Sequence, residues 1–242
     1  MKNFKKSTIV LLVLAAVLLI SSAVGSTRAA LTYYSENYQA EVTVSNIGVS
    51  LRENGETVSY RNYLANGEWD VKDGTLLAGI EDFTLGKTYD EELQVLNTGE
   101  IDTYVRVILT KTWVDAEGNV DQYLDPELIE LTGLGVGWVV DEDASTPERT
   151  VLYYTSILEE DAVSTPFATE FRVSPALQTK VIETKVTVDG KTTITYEYEY
   201  DGYSFNVEAE VDVVQTHNAA DAIKSAWGVD VTVADNGDIS LQ

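Results

Sequence analysis

The stretch from Tyr203 to Val213 restricts the fold more than any other part of the chain, because apolar and polar side chains alternate along it without a break. Such alternation is typical of a β-strand with one face in a core and the other in water. Valine, threonine, isoleucine and tyrosine dominate much of the remaining sequence, and turn residues recur at intervals of about 10 to 20 positions. We therefore predict an all-β, antiparallel sandwich in which residues 203–213 form a central strand.

Other strands are predicted from the same pattern. Residues 89–96 and 102–114 are separated by a short turn, which predicts that the two strands are neighbours. Residues 136–140 and 150–157 are predicted strands on either side of an acidic loop. Residues 234–242 are expected to fray at the end of the chain.

Two short helices interrupt the predicted strands, near residues 125–131 and 216–227. Asp125 can accept hydrogen bonds from free amides at the start of the first helix, and Pro126 suits the first helical position. Gly228 is expected to end the second helix. The first helix is expected to have a buried side formed by Leu128, Ile129 and Leu131.

Residues 180–201 form the clearest hairpin, with Asp189-Gly190 as the favoured pair for its tight turn. Apolar and aromatic side chains occupy even positions, whereas charged and threonine side chains occupy most odd ones. One face of this ribbon is therefore expected to need cover. It can be an outer hairpin of the sandwich, or a projecting arm that docks on a neighbouring molecule.

The first 29 residues are predicted to be a signal peptide. Three lysines precede the apolar run of residues 9–20, and small side chains at Thr27 and Ala29 suit signal peptidase. We expect cleavage between Ala29 and Ala30, which leaves residues 30–242 as a single secreted domain. An uncleaved anchor is the alternative, but the run is shorter than the ~20 apolar residues that span a bilayer. No stable membrane anchor is expected after cleavage.

Charge and cysteine content limit the partners and the fold. The net charge of −24 becomes −28 on cleavage, since the first 29 residues carry four basic side chains and no acidic ones. A domain this acidic repels phosphates, so we expect no nucleic acid or anionic lipid as a partner. The chain has no cysteine, and an exported domain without disulfides must be stabilised by its core.

The sequence lacks the residue patterns of common active sites. Its one histidine, His217, cannot build a histidine zinc site, and no nucleophile elbow or phosphate-binding glycine loop is present. The acidic residues 114–119 lack the ligand order of a calcium loop and are predicted to form a plain turn. Four tryptophans could line a sugar groove, although core packing is their more usual role. We therefore predict no enzyme activity, no catalytic residue, no cofactor and no metal.

Several stretches together resemble the TasA and camelysin family of Gram-positive bacteria, whose members are exported matrix-fibre proteins. The resemblance is spread over most of the chain, and no single motif carries it alone. The matching stretches are residues 25–31, 47–51, 53–55, 97–99, 104–107, 209–215, 219–220 and 227–229.

The resemblance implies a jelly-roll sandwich that is processed by a dedicated signal peptidase and polymerises in the extracellular matrix or at the cell surface. It implies self-association, and related matrix subunits as further partners. Residues 30–38 would be a donor strand that pairs with the next subunit, with Leu31, Tyr33 and Tyr34 as donor side chains. The same residues could instead form an edge strand of their own subunit. Some members of the family are described as metalloproteases, but this chain departs from that pattern because it has one histidine.

Two other functions stay open at this point. One is a monomeric secreted binding module for polysaccharide or a host surface, and the other is an acidic, metal-dependent hydrolase. If the chain assembles, its negative charge predicts stronger assembly at lower pH or with divalent cations.

Overall fold

The computed structural model describes residues 46–179, 181–188, 191–198 and 200–242 of the chain. All of these residues belong to one compact unit. The described backbone is mainly antiparallel β-strand with few short helices, so the predicted all-β sandwich is confirmed.

The first sheet has six strands in the spatial order β3, β2, β1, β4, β10, β7. Its strands are β1 (Gly48–Glu53), β2 (Glu56–Tyr63), β3 (Trp69–Lys72), β4 (Tyr89–Asn97), β7 (Ile129–Thr132) and β10 (Ala168–Val173).

The second sheet has its main strands in the order β13, β5, β9, β8, with β6 pairing beside β5. Its strands are β5 (Thr103–Val114), β6 (Val120–Asp121), β8 (Trp138–Val140), β9 (Arg149–Leu158) and β13 (Ser204–Gln215).

The core lies between the inner faces of these two sheets. Leu93 and Val95 on β4 and Val105 and Val107 on β5 are completely buried there. A second cluster surrounds Phe171 towards one end of the sandwich and includes Trp113 and Leu177. Alternation along each strand gives the sheets this apolar inner face.

The C-terminal residues cover the outer face of the second sheet. The helix Ala219–Trp227 buries Ile223 against Tyr104, and its last residue, Trp227, packs against the Tyr153 ring. Strands β14 (Val231–Val233) and β15 (Ile239–Leu241) pair with each other. The expectation that residues 234–242 fray is therefore wrong, because Ile239 is buried and the Tyr104 hydroxyl donates to the Gly237 carbonyl at 2.7 Å.

The predicted pairing of residues 89–96 with 102–114 is wrong, because β4 and β5 belong to different sheets. The buried Asn97 amide stabilises the crossover between them. It donates to the carbonyls of Ile101 at 2.8 Å and Leu158 at 3.0 Å, and it accepts from the Gly99 amide at 3.0 Å. Through these three hydrogen bonds, the Asn97 side chain satisfies backbone groups at the chain reversal that would otherwise pair in a β-ladder.

The first predicted helix is shorter than expected. Asp125 accepts from the Glu127 amide at 2.9 Å and Pro126 occupies the first position, but the 3₁₀ helix ends at Leu128. Ile129 and Leu131 lie on β7, so the buried side predicted for residues 128–131 belongs to a strand. Strand β7 pairs with β10, and this tertiary contact favours a strand over the expected helix at residues 129–131.

The predicted hairpin forms a two-stranded sheet from β11 (Val181–Val188) and β12 (Lys191–Tyr198). Val188 pairs with Lys191, and Asp189-Gly190 itself lies outside the described residues. Among the described strands, β11 and β12 pair only with each other and do not join either large sheet.

Candidate strand-binding groove

The residues predicted for signal cleavage and strand donation lie outside the described part of the chain. These are Ala29, Ala30, Leu31, Tyr33 and Tyr34, together with the rest of segment 30–38.

Strand β13 has the face predicted for it but a different position. Phe205, Val207 and Ala209 point towards the core clusters, as the alternation predicted. The strand lies at the edge of its sheet, however, so the prediction of a central strand is wrong. It pairs with β5 along its whole length, and no other described strand pairs with its second edge. An unpaired edge offers a row of backbone donors and acceptors to another strand.

The first sheet extends past this edge. Strand β1 is the one that lies over β13, and β2 and β3 continue the sheet beyond it. Their inner face carries Tyr63 and Trp69, which are cross-strand partners with ring centroids 5.1 Å apart. Trp69 is 55% exposed and Val71, on the same face, is 42% exposed. Strands β2 and β3, which we call the overhang, therefore leave apolar side chains uncovered where a further strand of the second sheet would lie.

A groove of about 940 Å³ runs along the inner side of β13 and is mainly apolar. Strand β13 forms one wall, residues 73–85 form the other, and Trp113 and Val173 belong to the lining between them. The large apolar side chains that residues 73–85 contribute to the lining are Leu76, Leu77, Ile80, Phe83 and Leu85.

Hydrogen bonds hold the wall formed by residues 73–85 at several points. The Glu53 carboxylate accepts from the Leu77 amide at 2.5 Å. The Tyr89 hydroxyl accepts from the Thr84 amide at 2.7 Å, and the Gly86 amide donates to the Val173 carbonyl at 3.0 Å. The wall has little regular structure of its own, so these contacts determine its position.

A buried acid lies behind this wall. Glu91 is 2% exposed, and one of its carboxylate oxygens accepts from the Asn54 side-chain amide at 3.3 Å. Burial, followed by the hydrogen bond and the negative charge of Glu53, raises the pKa of Glu91 to about 8. Nothing in the sequence distinguishes Glu91 from the surface acids beside it, so sequence reasoning missed this group.

The other candidate sites do not assemble in the described residues. These contain no cluster of three histidine, aspartate or glutamate side chains that could hold a metal. The loop at residues 114–119 is a turn. The Asp115 carboxylate closes it by accepting hydrogen bonds from the backbone amides of Glu117 and Asn119. His217 is exposed in the turn before the last helix.

The four tryptophans do not form a common groove. Trp113 and Trp138 are buried in separate core clusters, Trp227 packs on the outer face of the second sheet, and Trp69 lies on the overhang.

Comparison with protein-family models, curated proteins and solved structures finds no match to this chain. No helix within the described ranges is long and apolar enough to cross a bilayer.

Proposed function

We propose that this chain is a secreted structural subunit of an extracellular fibre, and that it polymerises by β-strand exchange. Residues 30–38 of one copy would add to the free edge of β13 in the next copy. Export would depend on residues 1–29, with cleavage between Ala29 and Ala30.

The observation that carries the proposal is the position of one edge of β13, which no other described strand pairs with, beside the inner face of β2 and β3. A strand added there would satisfy the edge backbone of β13 on one side. Its inward side chains would cover Trp69 and Val71 and enter the apolar groove. Leu31 and Tyr33 lie two residues apart, so they would point to the same face of the added strand.

Cysteine crosslinking can test this proposal cleanly, because the chain has no cysteine of its own. One protomer would carry Thr32→Cys, on the outer face of the added strand opposite to Leu31 and Tyr33, and a second protomer, distinguished by an affinity tag, would carry Asn206→Cys on the outer face of β13. We expect disulfide-linked heterodimers on mixing under oxidising assembly conditions. The matched control replaces Asn206→Cys by Tyr123→Cys, since Tyr123 is 96% exposed and lies outside the groove.

The same substitutions distinguish pairing between subunits from pairing within one. A single chain with both Thr32→Cys and Asn206→Cys would form an internal disulfide at high dilution if residues 30–38 formed an edge strand of their own subunit beside β13. That result, together with no heterodimer in the mixed sample, would contradict strand exchange. Electron microscopy of the secreted protein with and without residues 30–38 adds a direct reading of fibres.

The exposed Trp69 and its half-buried neighbour Tyr63 favour one second candidate, a binding module for polysaccharide. Aromatic rings that stay accessible can stack on sugar faces, and this pair lies on an open surface. Titration of the tryptophan fluorescence with polysaccharide fragments, using Trp69→Ala as the control, tests that alternative.

A further inference from the structure

Two carboxyl groups meet behind the wall of the groove. Glu53, the last residue of β1, pairs with Leu93 on β4, so its side chain lies on the same face of the sheet as that of Glu91, and both acids line one cavity. One oxygen of Glu91 is buried and has no hydrogen-bond partner among the described residues when both groups are ionised. Two carboxylates cannot donate to each other, so this contact needs a proton on one of them.

We propose that Glu53 and Glu91 share a proton and thereby act as a pH-dependent clasp that fixes residues 73–85 as a wall of the strand-binding groove. The role of the clasp in strand capture rests on the proposed function, whereas the clasp itself rests on the geometry of the two acids.

The clasp reaches the groove through one hydrogen bond. Glu53 accepts from the Leu77 amide at 2.5 Å, and Leu77 lines the groove. Leu77 has a φ of +63°, a conformation that non-glycine residues adopt rarely and that needs support from its surroundings. When protonated Glu91 donates a hydrogen bond to Glu53, the Glu53 carboxylate stays in position to accept from the Leu77 amide. When both groups are charged, their repulsion favours rotation of Glu53 away from Leu77.

Among the described residues, no ion pair joins Glu53 or Glu91 to a basic side chain. The two acids share a cavity of about 510 Å³ with charged side chains from β2, β4 and the segment between β3 and β4. These side chains are Glu56, Asp90, Glu81 and Lys87. Glu170 on β10 lies opposite Asp90 in the neighbouring strand. Acids outnumber Lys87 around the pair, so the field there favours the protonated state.

The direction of the pH effect follows from the raised pKa of Glu91. In the unfolded chain the group titrates near its ordinary value of 4.5, and in the folded protein near 8. Between these values the folded state holds the extra proton, so its stabilisation is complete below the lower value and is lost as the pH rises through the upper one. Closure of the wall should weaken over the upper part of this window.

Hydrogen exchange of the Leu77 amide in the full chain tests the clasp without reference to fibres. Protection factors, which correct for the intrinsic pH dependence of exchange, would be measured at dilution between pH 6 and pH 9. We expect the protection of Leu77 to fall about tenfold or more in the wild type. Glu91→Gln should keep it constant, because the amide can donate to Glu53 at every pH.

Glu92→Gln is the matched control, because it makes the same substitution at the adjacent residue, which is exposed and does not line the cavity. It should retain the wild-type pH profile. Equal profiles for Glu91→Gln and the wild type, or a flat wild-type profile, would overturn the clasp. Glu53→Gln serves as a second variant and should reduce Leu77 protection even at pH 6.

Light scattering of the wild type, Glu91→Gln and the matched control separates the clasp from the proposed function. If both hold, assembly should weaken above pH 8 in the wild type and in Glu92→Gln, but not in Glu91→Gln. A pH-dependent Leu77 amide without any assembly would keep the clasp and reject the fibre. Assembly with a pH-independent Leu77 amide would keep the fibre and reject the clasp.

Discussion

Arg106 and Asp212 face each other across the ladder between β5 and β13, and the guanidinium Nε and Nη2 atoms lie 3.0 and 2.5 Å from one oxygen of the carboxylate. The same guanidinium lies 5.4 Å from the centre of the Trp227 ring. One arginine therefore links the edge strand, its neighbour and the C-terminal helix. Because both partners are largely buried, solvent screens this ion pair less than an exposed pair.

We expect Asp212→Ala to lower the free energy of unfolding by about 1 to 2 kcal/mol, since it leaves a partly buried guanidinium without its partner. Urea unfolding measures the change. Glu210→Ala is the control on the same face of β13, where Glu210 lies opposite Ile108 and is exposed. It should change stability by less than about 0.5 kcal/mol. Equal effects of the two substitutions would show that the ion pair contributes nothing specific.

Asn97→Ala should be among the most destabilising substitutions in the sandwich. The side chain is completely buried, and its removal leaves two carbonyls and one amide of the crossover without their partner. We expect a loss of about 3 kcal/mol or more, because each buried group left unpaired costs about 1 to 3 kcal/mol. Thermal unfolding measures it, with the exposed Asn206→Ala as the control. A shift no larger than that of the control would contradict the role of Asn97 in the crossover.

Alternation along β13 predicted which of its side chains face the core, and that prediction is confirmed at Phe205, Val207 and Ala209. Alternation does not reveal how many neighbours a strand has, because edge and central strands of a half-buried sheet bury the same face. The groove depends on the edge position of β13. Sequence reasoning therefore described one wall of the groove without predicting that a groove exists.

The errors at β4 and β5 and at residues 129–131 share a cause. In both places the local sequence pattern was interpreted correctly, but a long-range contact determined the strand pairing or the type of element that formed. The Asn97 side chain allows a short connection to cross between sheets, and β10 recruits Ile129 and Leu131 into a strand. Glu91 presents a further case, because an acid becomes unusual only when folding buries it beside another acid.

Trp69→Ala should impair assembly while leaving the subunit folded. Trp69 contacts Tyr63 but is 55% exposed, so its loss should cost less than about 1 kcal/mol of subunit stability. In the proposed fibre the added strand covers it, and a buried aromatic of this kind commonly contributes 2 kcal/mol or more to an interface. We expect the concentration needed for assembly to rise by about tenfold or more. Tyr123→Ala, at a fully exposed aromatic outside the groove, should leave that concentration unchanged.

Excision of the ribbon formed by β11 and β12 tests whether it belongs to the sandwich or projects from it. Val186 and Ile194 are 52% and 45% exposed. Val186 pairs with Thr193 and Ile194 pairs with Lys185, so the two apolar side chains lie on opposite faces of the ribbon. The prediction that the even positions form one face that needs cover is therefore wrong. Val181 and Tyr198 are paired, so their backbones are close enough for a short glycine-serine linker to replace residues 181–198. Because the ribbon pairs with no other described strand, we expect the free energy of unfolding to change by less than about 1 kcal/mol. A larger loss in urea unfolding would show that the ribbon packs on the sandwich, whereas unchanged stability with weaker assembly would identify it as an arm between subunits.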